Sequence, residues 1–202
     1  MRGAILAGGR ASRYGGSPKG LETIGGQRII DRLVDVFTTA LGQPPFLVAN
    51  DPSAPGWLPN LEVVRDIRPD AGSLVGIHTA LANTNGPVVC VAWDMPFLPP
   101  TLLQELAAGL DRYDAFLPAS SGRRGVEPLC AAYGPACLPA VEAALDRGDL
   151  RAIGFHSGVD VGILPLQDVA RHGDPGMIFF NVNSPDDRER AEVLWRQQGS
   201  FR

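Results

Sequence analysis

A short apolar run, Ala4–Ala7, breaks abruptly into a loop that carries Gly8, Gly9, Gly15, Gly16 and Gly20, with Arg10, Arg13 and Lys19 among them. No other stretch restricts the fold so strongly, because a strand that empties into such a loop outlines a phosphate cradle. Glycines let backbone N–H groups approach an anion closely, and the cations neutralise it. The alternative is a surface loop with solvated cations, although this density of Gly, Arg and Lys after a first strand is unusual for a plain turn. Two familiar motifs are excluded. The P-loop needs Gly-Lys followed by Ser or Thr, and here the lysine sits in Pro18-Lys19-Gly20. The dinucleotide fingerprint needs a short G-x-G-x-x-G turn leading into a helix, and helical periodicity begins only near Arg28. A nucleotide substrate is implied, held by a loop of another kind.

Strand and helix signals alternate after that loop. Phe46–Ala49, Leu61–Val64, Val88–Ala92, Asp114–Pro118 and Pro128–Tyr133 read as strands, and Val88–Ala92 is a continuous apolar run of the kind buried on both faces of a parallel sheet. Ile29–Leu41, a segment containing Gly76–Ala82, Thr101–Leu110, Pro139–Arg147 and Pro185–Gln197 read as helices. The last begins at Ser184-Pro185, where Ser caps and Pro occupies the first turn. Ile163 and Met177–Phe180 are expected to add edge or sheet segments. The alternation predicts an α/β fold, three-layered and Rossmann-like, with a mainly parallel central sheet. At 202 residues and 45% hydrophobic content, one domain spanning residues 1–202 is expected.

Composition also excludes function classes. A net charge of −4 argues against a general nucleic-acid binder. No apolar run reaches the length needed to span a membrane, and the glycine-rich loop interrupts any signal-peptide core, so a cytoplasmic location is expected. Cys90, Cys130 and Cys137 form no C-x-x-C, and His78, His156 and His172 are scattered, which speaks against zinc.

Ligands of open α/β sheets bind beyond the carboxyl ends of strands where the strand order reverses. Asp94 follows Val88–Ala92 directly, and Asp66 follows Leu61–Val64. If the first strand and Val88–Ala92 flank that reversal, the glycine-rich loop and Asp94 face each other. A carboxylate opposite a polyphosphate suits Mg²⁺, which takes few protein carboxylates and completes its shell with phosphate oxygens and water. The plainer readings are a turn for Asp94 and an arginine pair or turn for Asp66, within Arg65-Asp66-Ile67-Arg68. Arg123-Arg124, between Gly122 and Gly125, reads first as an exposed loop and second as a grip on an anionic acceptor.

Taken in order, Leu6-Ala7-Gly8-Gly9, Arg13, Gly15-Gly16, Lys19-Gly20, Asp66, Asp94-Met95-Pro96-x-Leu98 and Asn181-Val182-Asn183-Ser184-Pro185-Asp186 resemble the molybdenum cofactor guanylyltransferases. These are the MobA-type members of the nucleotidyltransferase superfamily, and the resemblance runs nearly the whole chain. The opening motif is shared by many nucleotidyltransferases, and the closing Asn-Val-Asn-x-Pro-Asp is more discriminating. The resemblance implies transfer of GMP from GTP to molybdopterin cofactor with release of pyrophosphate. It implies that Leu6, Ala7, Gly8 and Gly9 contact the nucleotide, and that Arg13 and Lys19 hold the triphosphate. Asn50 and Asp66 would hold the nucleoside, Asp94 would bind Mg²⁺, and Asn181 and Asn183 would lie near the reacting groups or the acceptor. The plainer reading of the two asparagines is a turn ahead of the last helix. A protein that receives the finished cofactor is an expected transient partner. The chain departs from the family pattern at Pro18, Ser73 and Trp93, where an acidic residue, Pro and Cys are common. Two rivals share the loop: a transferase using another nucleotide or a sugar-phosphate acceptor, and a carrier that binds without turnover.

Overall fold

Hydrophobic periodicity sorts this chain into strands buried on both faces and helices with one apolar stripe. The computed structural model describes residues 1–8, 19–68 and 72–199. The expectations for Gly9 and Arg13, and the departure at Pro18, fall outside them. Nine strands and seven α-helices are described, with short 3₁₀ turns between them. In chain order they are β1 (Arg2–Leu6), β2 (Thr23–Ile24), β3 (Gln27–Arg28), α1 (Ile29–Leu41), β4 (Phe46–Val48), β5 (Val63–Val64), α2 (Ser73–Thr84) and β6 (Val88–Ala92). The second half follows as α3 (Pro100–Gly109), β7 (Ala115–Pro118), β8 (Cys130–Tyr133), α4 (Cys137–Asp146), β9 (Val161–Leu164), α5 (Leu166–Val169), α6 (Pro175–Ile178) and α7 (Pro185–Gly199).

Seven strands form one sheet in the order β5-β4-β1-β6-β8-β7-β9, and β8 alone runs against the others. The chain moves outward from β1 to β4 and β5, then crosses back through α2 to pair β6 on the other side of β1. That return is the reversal of strand order anticipated from sequence. Side chains alternate between two cores, as period-2 geometry requires. Ile5, Val89 and Val91 face α1 and α3, while Ala4, Leu6, Val88 and Cys90 face α2 and α4. Because the central strands are buried on both faces, their apolar residues read as continuous runs. No helix among the described residues is long and apolar enough to cross a membrane.

One expected sheet segment is corrected. Met177–Phe180 is not a strand: Pro175–Ile178 forms the single-turn α6, and Phe179 and Phe180 continue the turn. The local reason lies just upstream, where Asp174 accepts from the Gly176 N–H at 3.1 Å and Pro175 supplies a helical φ. An N-cap and a first-turn proline outweigh a short apolar run. Ile163 does lie on the edge strand β9.

The β2–β3 hairpin was absent from the expected elements, and it ties the start of the chain to its end. Its turn residues Gly25 and Gly26 have φ of +58° and +80°, which glycine adopts without penalty. At Gly25 a Cβ would lie 2.1 Å from Nε1 of Trp195 on α7. The Gly25 N–H donates to Glu192 at 3.0 Å, and the Arg32 guanidinium lies 4.1 Å from the centre of the Trp195 ring. Gly25→Ala combines a disfavoured backbone with a collision, so a loss of about 2–4 kcal/mol is expected on chemical denaturation. Gly26→Ala, with open space around its Cβ, should lose less.

Candidate active site

Parallel pairing of β1 and β6 sets Leu6 opposite Ala92. The ladder continues one step further, with the Trp93 N–H donating to the Leu6 carbonyl at 3.3 Å. On the other side the Ala7 N–H donates to Val48 at 2.9 Å. Ala7 and Gly8 therefore leave the sheet beside Trp93 and Asp94. Among the described residues nothing lies within 4 Å of the position a Gly8 Cβ would occupy.

Asp94 combines burial with an unmet bonding capacity. Its Oδ1 is shielded from solvent and has no hydrogen-bond partner among the described residues. Burial pushes its carboxyl above the usual carboxylate range, against the pull of the Lys19 ammonium. A buried carboxylate oxygen without a donor is costly unless a cation meets it. No group of three or more His, Cys, Asp or Glu side chains among the described residues is arranged to hold a metal.

Lys19 lies in a 3₁₀ turn, and its Nζ donates to Oδ1 of Asn183 at 2.8 Å. Two residues before Asn183 along the same segment, Asn181 closes a local turn by donating to the Phe179 carbonyl at 2.8 Å. Between the two asparagines, fully buried Val182 donates its N–H to the Asp94 carbonyl at 2.9 Å. The closing motif thus touches the lysine through a side chain and the aspartate through backbone. It is braced by a reciprocal cap. Ser184 Oγ donates to Asp187 Oδ2 at 2.9 Å and accepts from the Asp187 N–H at 3.2 Å, while the Asn183 N–H donates to the same carboxylate at 3.0 Å.

Gly20 has a different role from the one its position in a glycine-rich loop suggests. It is buried, and a Cβ there would lie 2.5 Å from Cε3 of Trp93. Trp93 in turn stacks on Trp57, with ring centres 5.3 Å apart, and the Trp57 indole N–H donates to Ser53 at 3.0 Å. The departure at Trp93 is therefore a packing feature, with the glycine beside Lys19 making room for the indole.

Asn50 and Asp66 meet two strands further along the edge. Asn50 Nδ2 donates to Asp66 Oδ2 at 2.8 Å, and the Asp66 N–H donates back to Asn50 Oδ1 at 2.9 Å. A residue that sequence reading missed completes the group: Thr79 on α2 donates to Asp66 Oδ1 at 3.2 Å and accepts from the Ile67 N–H at 3.1 Å. The available signal was a hydroxyl on the apolar stripe between Ile77 and Ala80. Asp66 is separated from Asp94 by β4 and β1, so the two carboxylates do not share one ion.

Arg123 and Arg124 lie in the loop after β7, closed by a bridge between Ala119 and Val126. Arg124 borders two cavities. One, of about 360 Å³, is lined by residues 122–124, Val126 and Glu127. The other, of about 610 Å³, runs to Gly72 and Ser73 at the start of α2 and to Arg147 and Arg151. Arg151 grips Asp149 through two nitrogens at 2.9 and 2.7 Å, which holds the Asp149 carboxyl down to about 2. None of Lys19, Asn50, Asp66 or Asp94 lines either cavity.

The model of the MobA-like NTP transferase domain matches residues 3–159. Molybdenum cofactor guanylyltransferase from Desulfosudis oleivorans is 32% identical over 197 residues, covering 96% of this chain and 95% of that protein. The enzyme of that name from Cereibacter sphaeroides is 31% identical over 199 residues, covering 96% and 97%. The crystal structure of molybdopterin-guanine dinucleotide biosynthesis protein A from Archaeoglobus fulgidus superposes with a TM-score of 0.82 at 27% identity, covering 98% of this chain and all of that one. Gly8 beyond β1, Asp94 after β6 and an Asn-Val-Asn segment that bonds both Lys19 and Asp94 occur here in a chain that belongs to the MobA-like NTP transferase family.

Proposed function

We propose that this chain transfers GMP from GTP to the phosphate of molybdopterin cofactor, releasing pyrophosphate. An acceptor phosphate oxygen attacks the α-phosphorus of GTP. The new P–O bond forms as the bond between the α-phosphorus and the bridging oxygen breaks, and the electron pair leaves with pyrophosphate. The attacking oxygen is already anionic, so no protein nucleophile is required. The observation that carries this reading is the joining of Lys19 to Asn183 and of Asp94 to Val182 at the exit of β1.

Each residue then has a physical task. The backbone of Leu6, Ala7 and Gly8 receives the nucleotide, and Asn50 and Asp66 face the base. Lys19, aimed by Asn183, offsets charge that grows on the departing pyrophosphate. Asp94 would hold Mg²⁺, which would supply positive charge to offset that of the phosphates. Its Oδ1, unpartnered among the described residues, and the lack there of any group of three or more His, Cys, Asp or Glu ligands suit an ion that draws most of its ligands from substrate and water. The cavity beside Arg124, Arg147 and Arg151 suits the anionic acceptor, since three guanidinium groups outweigh Asp149 there.

Calorimetric titration with GTP, ATP, CTP and UTP, each with Mg²⁺, tests the nucleotide assignment. Selective GTP binding, weakened at least tenfold by Lys19→Ala, is expected; preference for CTP or UTP would make the chain a sister transferase. Arg124→Ala should raise KM for the acceptor while leaving GTP affinity within about twofold, as loss of a phosphate contact remote from the base predicts. For Asp94→Asn, rate and stability should move in opposite directions. Folding raises the Asp94 pKa, so ionising it lowers stability as pH rises from the usual carboxylate range through that raised value. Thermal melts should show the variant above the parent at pH 7, with the gap closing towards pH 3, while turnover falls at least a hundredfold.

A further inference from the structure

We propose that Thr79 is the positioning residue that lets this site select guanine. The proposal rests on the reading that Asp66 faces the base. Thr79 has no exposed surface, so its hydroxyl must be satisfied within the protein. A hydroxyl has one hydrogen to give and two lone pairs. The Ile67 N–H occupies a lone pair, and the hydrogen goes to Asp66 Oδ1. Asn50 occupies one site on Oδ2 and pins the Asp66 backbone. The carboxylate is therefore held from both sides, by β4 through Asn50 and by α2 through Thr79.

Among the described residues that leaves one accepting site on each oxygen, because an ionised carboxylate offers about four in all. Two parallel acceptors in a fixed plane match guanine, whose N1–H and 2-amino group present two adjacent donors. Adenine and cytosine place an acceptor beside their amino group, and uracil places its single N–H between two carbonyls. Discrimination by such a pair depends on the plane being fixed, since a rotating carboxylate accepts a single donor from any base. Thr79 also joins the segment after β5 to α2, so any turn of the helix would be felt at the base.

Inosine triphosphate lacks only the 2-amino group, so the ratio of its Kd to that of GTP reads the second contact. Calorimetry on the full chain with Mg²⁺ should give a ratio of about ten or more for the parent. Asp66→Ala should bring it close to one. Thr79→Val should lower it about threefold or more with inosine triphosphate affinity little changed, and Thr79→Ser should restore it. Thr79→Cys, similar in volume but a weak donor, gives the same reading if Thr79→Val does not fold. Equal losses for both nucleotides, or an unchanged ratio in the Thr79 variants while Asp66→Ala collapses it, would overturn the role of Thr79. An unchanged ratio in Asp66→Ala would overturn the base-side reading and this role with it.

Discussion

Every part of the site depends on the parallel pairing of β1 with β6. Five consecutive residues of each strand are in register, from Arg2 opposite Val88 to Leu6 opposite Ala92. Both strands are buried on both faces, so a one-residue slip would exchange the side chains packed against α1 with those packed against α2. The cost of that exchange is what holds Gly8 beside Asp94. With β1 and β6 fixed, the reversal of strand order places Gly8 and the Asp94 carboxylate at the same end of the sheet.

The carboxyl edge divides into two stations. Asp94 and Lys19 stand at β6 and the start of the chain, and Asn50, Asp66 and Thr79 gather at β4, β5 and α2. Three strand spacings separate β5 from β6, about 14 Å. Such a span suits a nucleotide laid across the edge, base at one end and phosphates at the other. The stations also differ in chemistry. Asn50, Asp66 and Thr79 hold one another by hydrogen bonds, whereas Asp94 keeps a buried oxygen without a partner among the described residues and Lys19 donates to Asn183.

Stability given up at Asp94 is offset nearby by contacts that bind the end of the chain to its beginning. Trp195 and Glu192 clamp the β2–β3 turn, Val182 is buried beneath Asp94, and Ser184 with Asp187 caps α7. Through Asn183 this clamp reaches Lys19. Gly20 and Trp93 extend it into the core by close packing, so the lysine sits on a backbone braced from two directions. Pre-organised charge of this kind needs little rearrangement at the moment of reaction.

Much of this was legible in the linear chain. Period-2 and period-3.6 apolar patterns marked the main strands and helices, and Ser184-Pro185 marked the start of α7, because these signals are local. Met177–Phe180 misled, since its apolar run lacked the view of Asp174 capping the turn before it. What the sequence determined alone was the α/β class and the placing of the main strands and helices along the chain. Tertiary structure alone decided that Asn183 aims Lys19, that Gly20 makes room for Trp93, and that Thr79 reaches Asp66 across 13 positions. Those pairings arise from how sheet and helices stack, and hydrogen bonds between distant segments leave no period for a sequence to display.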